Sequence, residues 1–252
     1  MISDVLRVDD YNAPQALAVR KDFIVVYKPP KLHSSPLGGG ESLLDWCARN
    51  FPETLALPGR KAGEGGLLHR LDFETHGLLL FARTGSGMES LMDQQGREMI
   101  IKEYSALASE SKGAQPGFPD AANRGPLIES SFRPYGRGRK AVRPIAPFDC
   151  ANETGARKPV LYATEIVEKR RLDPLINSFR LRICRGFRHQ IRCHLAWIGQ
   201  PIINDPIYGG AFFENGLLGL RACSLSFTDP DSNQKMRFEI PPLEPGFTQF
   251  SV

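Results

Sequence analysis

The 252-residue chain contains no apolar run approaching the roughly 20 residues a membrane span needs. Its opening, Met1-Ile2-Ser3-Asp4-Val5, is not a basic segment followed by an apolar one, so no secretory leader is read there. Cysteine is scarce: Cys47, Cys150, Cys184, Cys193 and Cys223 are odd in number and include no close pair. That pattern argues against a disulfide framework and fits reduced thiols in a cytoplasmic protein. The three glycines from Gly38 lack the lysine and serine of a phosphate-binding loop, which leaves a turn or loop. Internal repeats and low-complexity segments are also absent. Acidic residues are missing from two windows, 130–148 and 174–204. The first holds Arg133, Arg137, Arg139, Lys140 and Arg143, and the second Arg180, Arg182, Arg185, Arg188 and Arg192. In a chain whose net charge is only +4, two such windows mark either a polyanion footprint or solvated faces whose acids come from elsewhere in the sequence.

An apolar content of 41% with 24% charged residues is that of an ordinary globular protein, long enough to bury a core without disulfides or metal. Residues 1–20 are polar and without periodicity and read as an N-terminal arm, leaving 21–252 as one domain. Phe23 to Tyr27 is a strand by its β-branched and aromatic content, closed by Lys28-Pro29-Pro30. Ser42 with Asp45 predicts a capped helix running to Asn50. A second helix is expected from near Gly87 to Met99, with Met88, Leu91 and Met92 inward. Strands are expected over 100–107, 129–135, 159–168 and 178–184, and a closing hairpin over 222–227 and 236–240. The stretches 109–126 and 146–158 read as loops.

Three places carry candidate chemistry. His69-Arg70-Leu71-Asp72-Phe73-Glu74-Thr75-His76-Gly77 feeds an apolar run, 78–82, that reads as a buried strand, so Asp72 stands at the mouth of a core strand. On residue types alone such an aspartate is more often a turn or capping residue. Tyr104 follows Lys102-Glu103 on a strand, where a tyrosine is ordinarily core with its hydroxyl at the surface. The stretch 186–199 reads as a helix placing Ile191, Leu195 and Ile198 on one side and Arg188 and Arg192 one turn apart. His189, Cys193 and His194 do not make a metal set, because two histidines five apart on a helix point in different directions.

His69, Arg70, Leu71 and Asp72, with Thr75, Gly77 and the leucine run, resemble the signature loop of pseudouridine synthases of the RluA type. Lys102-Glu103-Tyr104 resembles that family's Lys-x-Tyr element, and Gln190, Ile191, Arg192, His194 and Leu195 its third motif. Asn204 to Gly209 resembles a structural turn of the same family, in which Asp205 is a turn residue. His76 stands where a serine is usual, and Phe187 and Arg188 stand where Arg-Thr is usual. The resemblance covers roughly residues 23–240.

It implies an α+β fold with a mixed, largely antiparallel central sheet flanked by helices and an active-site cleft across the sheet. The chain would be a catalytic domain with no separate N-terminal RNA-binding module. It would isomerise specific uridines of ribosomal or transfer RNA, as a monomer, without metal or other cofactor. Asp72 would be the catalytic carboxylate, Tyr104 the ring on which uracil stacks and a proposed base, and Arg192 the guanidinium paired with Asp72. Arg70 would enter the space left by the flipped base. His69, Thr75, Arg188, Gln190 and Ile191 would complete the contacts with RNA and substrate.

The chemistry suits those residue types. Isomerisation breaks the C1′–N1 bond, turns the uracil and joins C5 to C1′; nothing is oxidised and no group is lost. One ionised carboxylate at the sugar serves, either by attack at C1′ or by helping expel uracil before a proton leaves C2′. Glycoside hydrolases normally use two carboxylates and admit water. A nucleotide stacked in folded RNA must be extruded first, at an expense of a few kcal/mol. The rival readings are a catalytically silent RNA-binding or ribosome-assembly protein of the same fold, and a base-excising hydrolase.

Overall fold

In the computed structural model, residues 1–36, 40–111, 115, 117–119, 125–147, 160–213 and 216–244 are described. The strands are β1 (Ile2–Val5), β2 (Gln15–Val19), β3 (Phe23–Lys28), β4 (His76–Ala82), β5 (Ile101–Ser109), β6 (Leu127–Tyr135), β7 (Ala141–Ile145), β8 (Tyr162–Arg171), β9 (Ile176–Ile183), β10 (Leu220–Thr228) and β11 (Lys235–Glu239). The helices are α1 (Leu43–Asn50), α2 (Gly85–Gly96) and α3 (Gln190–Trp197). The chain divides into two units: Met1–Glu103 with Arg221–Pro242, and Tyr104–Leu220 with Leu243–Val252.

In the first unit the strand order is β2-β3-β4-β10, with β11 beside β10 and β1 beside β11. Pairing is antiparallel for β2/β3, β3/β4 and β10/β11, and parallel for β4/β10 and β1/β11. Every residue of β3 and β4 is buried, which is why both read as unbroken apolar runs rather than alternating ones. Phe23, Val25 and Tyr27 pack with Leu78, Leu80, Leu225, Phe227 and Phe238 in one core. Met88 and Leu91 of α2 join it, whereas Met92, expected inward, is 40% exposed. The α1 start follows the sequence: Ser42 accepts from the Asp45 amide and Asp45 accepts from the Ser42 amide. Helix α2 begins at Gly85, ahead of expectation, because Thr84 caps it by accepting from the Gly87 amide. The arm is more than a tail. It supplies β1 and β2, and Val8 and Ala18 reach the core.

In the second unit the order is β5-β9-β8-β6-β7, with antiparallel β6/β7, β6/β8 and β8/β9 pairs. Strand β9 alternates as expected: Asn177, Phe179, Leu181 and Ile183 are buried, Arg180 is exposed and Arg182 half-buried. Strand β7 escaped the sequence reading because it is short and contains Pro144, a residue that a sheet accepts at its edge, where β7 lies. All eight residues of α3 are buried, so its periodicity understates its enclosure. Cys193 and Ala196 pack with Val142 and Tyr208, and Trp197 with Ile128.

The fold is α+β, its strands mixed and largely antiparallel. No helix among the described residues is long and apolar enough to cross a membrane. Half of 109–126, the segment 148–159 with Cys150, and Gly38 with Gly39 lie outside the described residues.

Candidate active site

The first unit holds residues 69–77. Gly66 to Leu68 runs back along β4, with the Ala82 amide donating to Gly66 O at 2.8 Å and the Leu68 amide to Leu80 O at 3.1 Å. The chain then turns, closing with a Thr75 amide to Asp72 O bond of 3.2 Å, and enters β4. Gly77 is required at the entry. Its φ is +124°, and a Cβ there would lie 2.2 Å from the Ala222 carbonyl oxygen of the adjacent parallel strand.

Two side chains fix the loop backbone around Asp72. Ser34, buried, accepts from the Leu71 amide at 3.0 Å and donates to the Leu71 carbonyl at 2.9 Å. Lys28, wholly excluded from solvent, donates from Nζ to the carbonyls of Pro29 (2.8 Å), Leu32 (2.7 Å) and Phe73 (3.2 Å). Burial pushes the Lys28 ammonium down to about 7, against the pull of the Asp72 and Glu74 carboxylates. Asp72 itself is half-buried, with the backbone on both sides of it anchored, so its carboxylate is aimed by rigid neighbours. The His33 and Phe73 rings lie 4.6 Å apart beside it.

The other loop residues differ in setting. Both ring nitrogens of His69 and the Thr75 hydroxyl are buried with no hydrogen-bond partner among the described residues. Burial, then the positive charges of Lys102 and Arg60, hold the His69 imidazole well below its ordinary range, so it is neutral. Arg70 is exposed and lies 3.5 Å from Glu64. His76 is buried and accepts from Arg221 Nε at 3.0 Å across the β4/β10 pair. Arg221 Nη1 also donates to Pro241 O at 2.9 Å, and its guanidinium lies 4.8 Å from the Tyr11 ring centroid. Burial and the nearby Arg221 keep His76 uncharged. The residue that departs from the family pattern is thus spent on a buried arginine.

In the second unit, Tyr104 lies in β5 and is 6% exposed, and Ile191 in α3 is 5% exposed. Arg192 holds Asp205 with both charged groups of the contact parallel: Nε to Oδ2 is 2.8 Å and Nη2 to Oδ1 is 2.9 Å. The same Asp205 accepts from the Ile207 and Tyr208 amides at 2.9 and 3.0 Å, so it is the expected turn residue and a carboxylate partner as well. Gln190, expected among the RNA contacts, is committed inside this unit. It is 2% exposed, accepts from the Phe187 amide at 2.9 Å and donates to Ala163 O at 2.9 Å. This makes it a positioning residue for the start of α3. Arg188 is exposed and donates to the carbonyls of Arg139 (2.7 Å) and Ala141 (3.2 Å). His194 bridges the Ser130 and Thr164 hydroxyls at 2.9 and 2.8 Å, and burial pushes its imidazole down to about 3. No group of three or more metal-ligating side chains occurs among the described residues.

The parts sequence reasoning missed are the clamps. Nothing local in Lys28-Pro29-Pro30 or in His33 to Pro36 announces partners on a loop about forty residues onward. The Asp205-Pro206 turn signal likewise carries no sign of Arg192.

The model of a family described as RNA pseudouridylate synthase matches residues 22–197. The chain is 30% identical over 192 residues to ribosomal large subunit pseudouridine synthase D of Escherichia coli O6:H1, covering 75% of this chain and 51% of that one. It is 28% identical over 214 residues to the protein of the same name from Pasteurella multocida, covering 83% and 57%. It therefore spans about half the length of the curated relatives it matches. Among solved structures, human RNA pseudouridylate synthase domain containing 1 superposes with a TM-score of 0.63 at 19% identity, covering 96% of this chain and 89% of that one. Human RNA pseudouridylate synthase domain containing 4 gives 0.58 at 18% identity, covering 92% and 89%. At such identities these two likenesses speak for the fold alone.

Proposed function

The chain belongs to the RNA pseudouridylate synthase family, and from that membership we propose that it isomerises uridine to pseudouridine in RNA, with ribosomal RNA of the large subunit as the substrate class. The observation that carries the reading is the doubly anchored loop. Ser34 on Leu71 and Lys28 on Phe73 hold the backbone on either side of Asp72, in the stretch that matches the family's signature.

In this reading Asp72 works as a carboxylate at C1′ of an extruded nucleotide. The C1′–N1 bond breaks, the uracil turns, C5 bonds to C1′, and the C5 proton is lost while N1 gains one. Mass and chain length are unchanged, and the balance needs no oxidant or leaving group. Tyr104 takes the uracil face, the role its motif gives it, and Arg192, bonded twice to Asp205, joins α3 to the turn at that residue. The neutral His69 imidazole and the Thr75 hydroxyl, buried and unsatisfied among the described residues, are polar groups for the incoming nucleotide to satisfy. Arg70, exposed next to Asp72, is suited to fill the space the base leaves.

Carbodiimide mapping of pseudouridine in total RNA from cells with and without the protein tests this reading. One or a few sites in large-subunit RNA disappearing with the protein is the expected outcome. Unaltered maps in every RNA class would overturn it.

A further inference from the structure

The two basic windows of the sequence differ once folded. In the second, three of the five positive charges stand against carboxylates. Arg182 lies 3.0 Å from Glu165, Arg180 stands opposite Glu168 in the β8/β9 register, and Arg192 is taken by Asp205. In the first, β6 and β7 form a hairpin whose tip carries Arg137 and Arg139 in a single 3-10 turn, followed by Lys140. Arg133, Arg137, Arg139 and Lys140 are all exposed. Across 125–147 the only acidic residue is Glu129, and it sits in the half of β6 paired with Ala163 of β8, away from the tip.

The hairpin is also built to hold its shape. One face, with Phe132 and Val142, packs on Cys193, Ala196 and Tyr208. The Tyr208 hydroxyl accepts from the Val142 amide at 2.9 Å, and Arg188 ties the tip carbonyls of Arg139 and Ala141 while adding its own exposed charge. The opposite face places Arg133 across from Arg143. Arg143 is 7% exposed and sandwiched by the Phe118 and Tyr135 rings, 4.5 and 4.1 Å from their centroids. Its Nε and Nη1 find no acceptor among the described residues. A guanidinium held just below the surface, with two of its nitrogens unsatisfied among the described residues, projects its charge toward whatever anion arrives above it.

We propose that the β6–β7 hairpin is the RNA-docking element of the second unit, taking successive backbone phosphates on Arg133, Arg137, Arg139, Lys140 and Arg188 over the fixed charge of Arg143. The inference rests on the RNA reading above and adds which surface meets the RNA. The hairpin recognises the phosphate chain and not sequence, so it supplies affinity and orientation while the choice of uridine lies elsewhere.

The test is filter binding of the whole protein to a transcript of large-subunit ribosomal RNA over a series of salt concentrations. The triple variant Arg137→Ser, Arg139→Ser, Lys140→Ser is compared with a control that also removes three exposed charges, Arg7→Ser, Arg97→Ser, Lys235→Ser. The hairpin variant should lower the slope of log Kd against log salt by about 2 to 3, one phosphate contact per residue. The control should keep the wild-type slope. Equal slopes for hairpin variant and wild type, or equal losses in both triple variants, overturn the proposal. Pseudouridine formation by the wild type on the same transcript reports separately on the functional reading, since binding and its salt slope are measured whether or not turnover occurs.

Discussion

Arg192 and Asp205 face one another through two hydrogen bonds in a place that admits no solvent to either side chain. Asp205 also receives two backbone amides, so a single carboxylate fixes both the guanidinium on α3 and the turn that follows β9 and α3 in the chain. Asp205→Asn keeps the shape of the turn and removes the charge. Deleting one partner of a buried pair costs about 3 kcal/mol or more, because the other charge stays buried. Urea unfolding should show a loss of that size; a variant as stable as the wild type would contradict the arrangement.

Ser34 reaches across 37 positions to bond both backbone groups of Leu71. Ser34→Ala strands two buried polar groups and lets the residue before Asp72 drift. Turnover on RNA should fall about tenfold or more, as expected when a reacting group is misplaced by a fraction of an ångström to 1 Å. The affinity for RNA should hold, because phosphate contacts are untouched. Equal loss in affinity and turnover would assign Ser34 a binding role instead.

Three histidines with buried ring nitrogens, His69, His76 and His194, have ring pKa values depressed by burial. In the unfolded chain each takes up a proton near 6.5, whereas the folded state resists it, so the unfolded state binds more protons between those limits. Stability is therefore fully present above pH 6.5 and is lost as pH falls toward the folded values. For His194, held at about 3, the loss between pH 6.5 and 4.5 is about 2 to 3 kcal/mol. The urea midpoint should drop steeply over that range, and His194→Gln should flatten the dependence. An unchanged profile in the variant would contradict the assignment of His194 as a neutral buried group.

Periodicity and local chemistry made most of the framework legible. Phe23–Tyr27 and Leu78–Ala82 are unbroken apolar runs because both faces are covered, and Ser42 with Asp45 marked the α1 start to the residue. What failed was set by partners distant in sequence. The short strands β1, β2 and β7 gain their order from pairing, not from their own residues, and Pro144 hid the last of them. Asp72, Tyr104 and Arg192 were singled out by motif. The bonds of Lys28 to Phe73, of Ser34 to Leu71 and of Arg221 to His76 left no local trace, because each joins segments that only folding brings together.

The central claim is that the Asp72 carboxylate carries the chemistry. Because C5 of uracil must lose its hydrogen when it bonds to C1′, tritium release from RNA labelled at uridine C5 measures turnover directly. The wild type should release tritium, and Asp72→Asn should release none above background while its Kd for the same RNA stays within about threefold, a loss in the reaction step and not in binding. Release by Asp72→Asn at the wild-type rate would contradict the account.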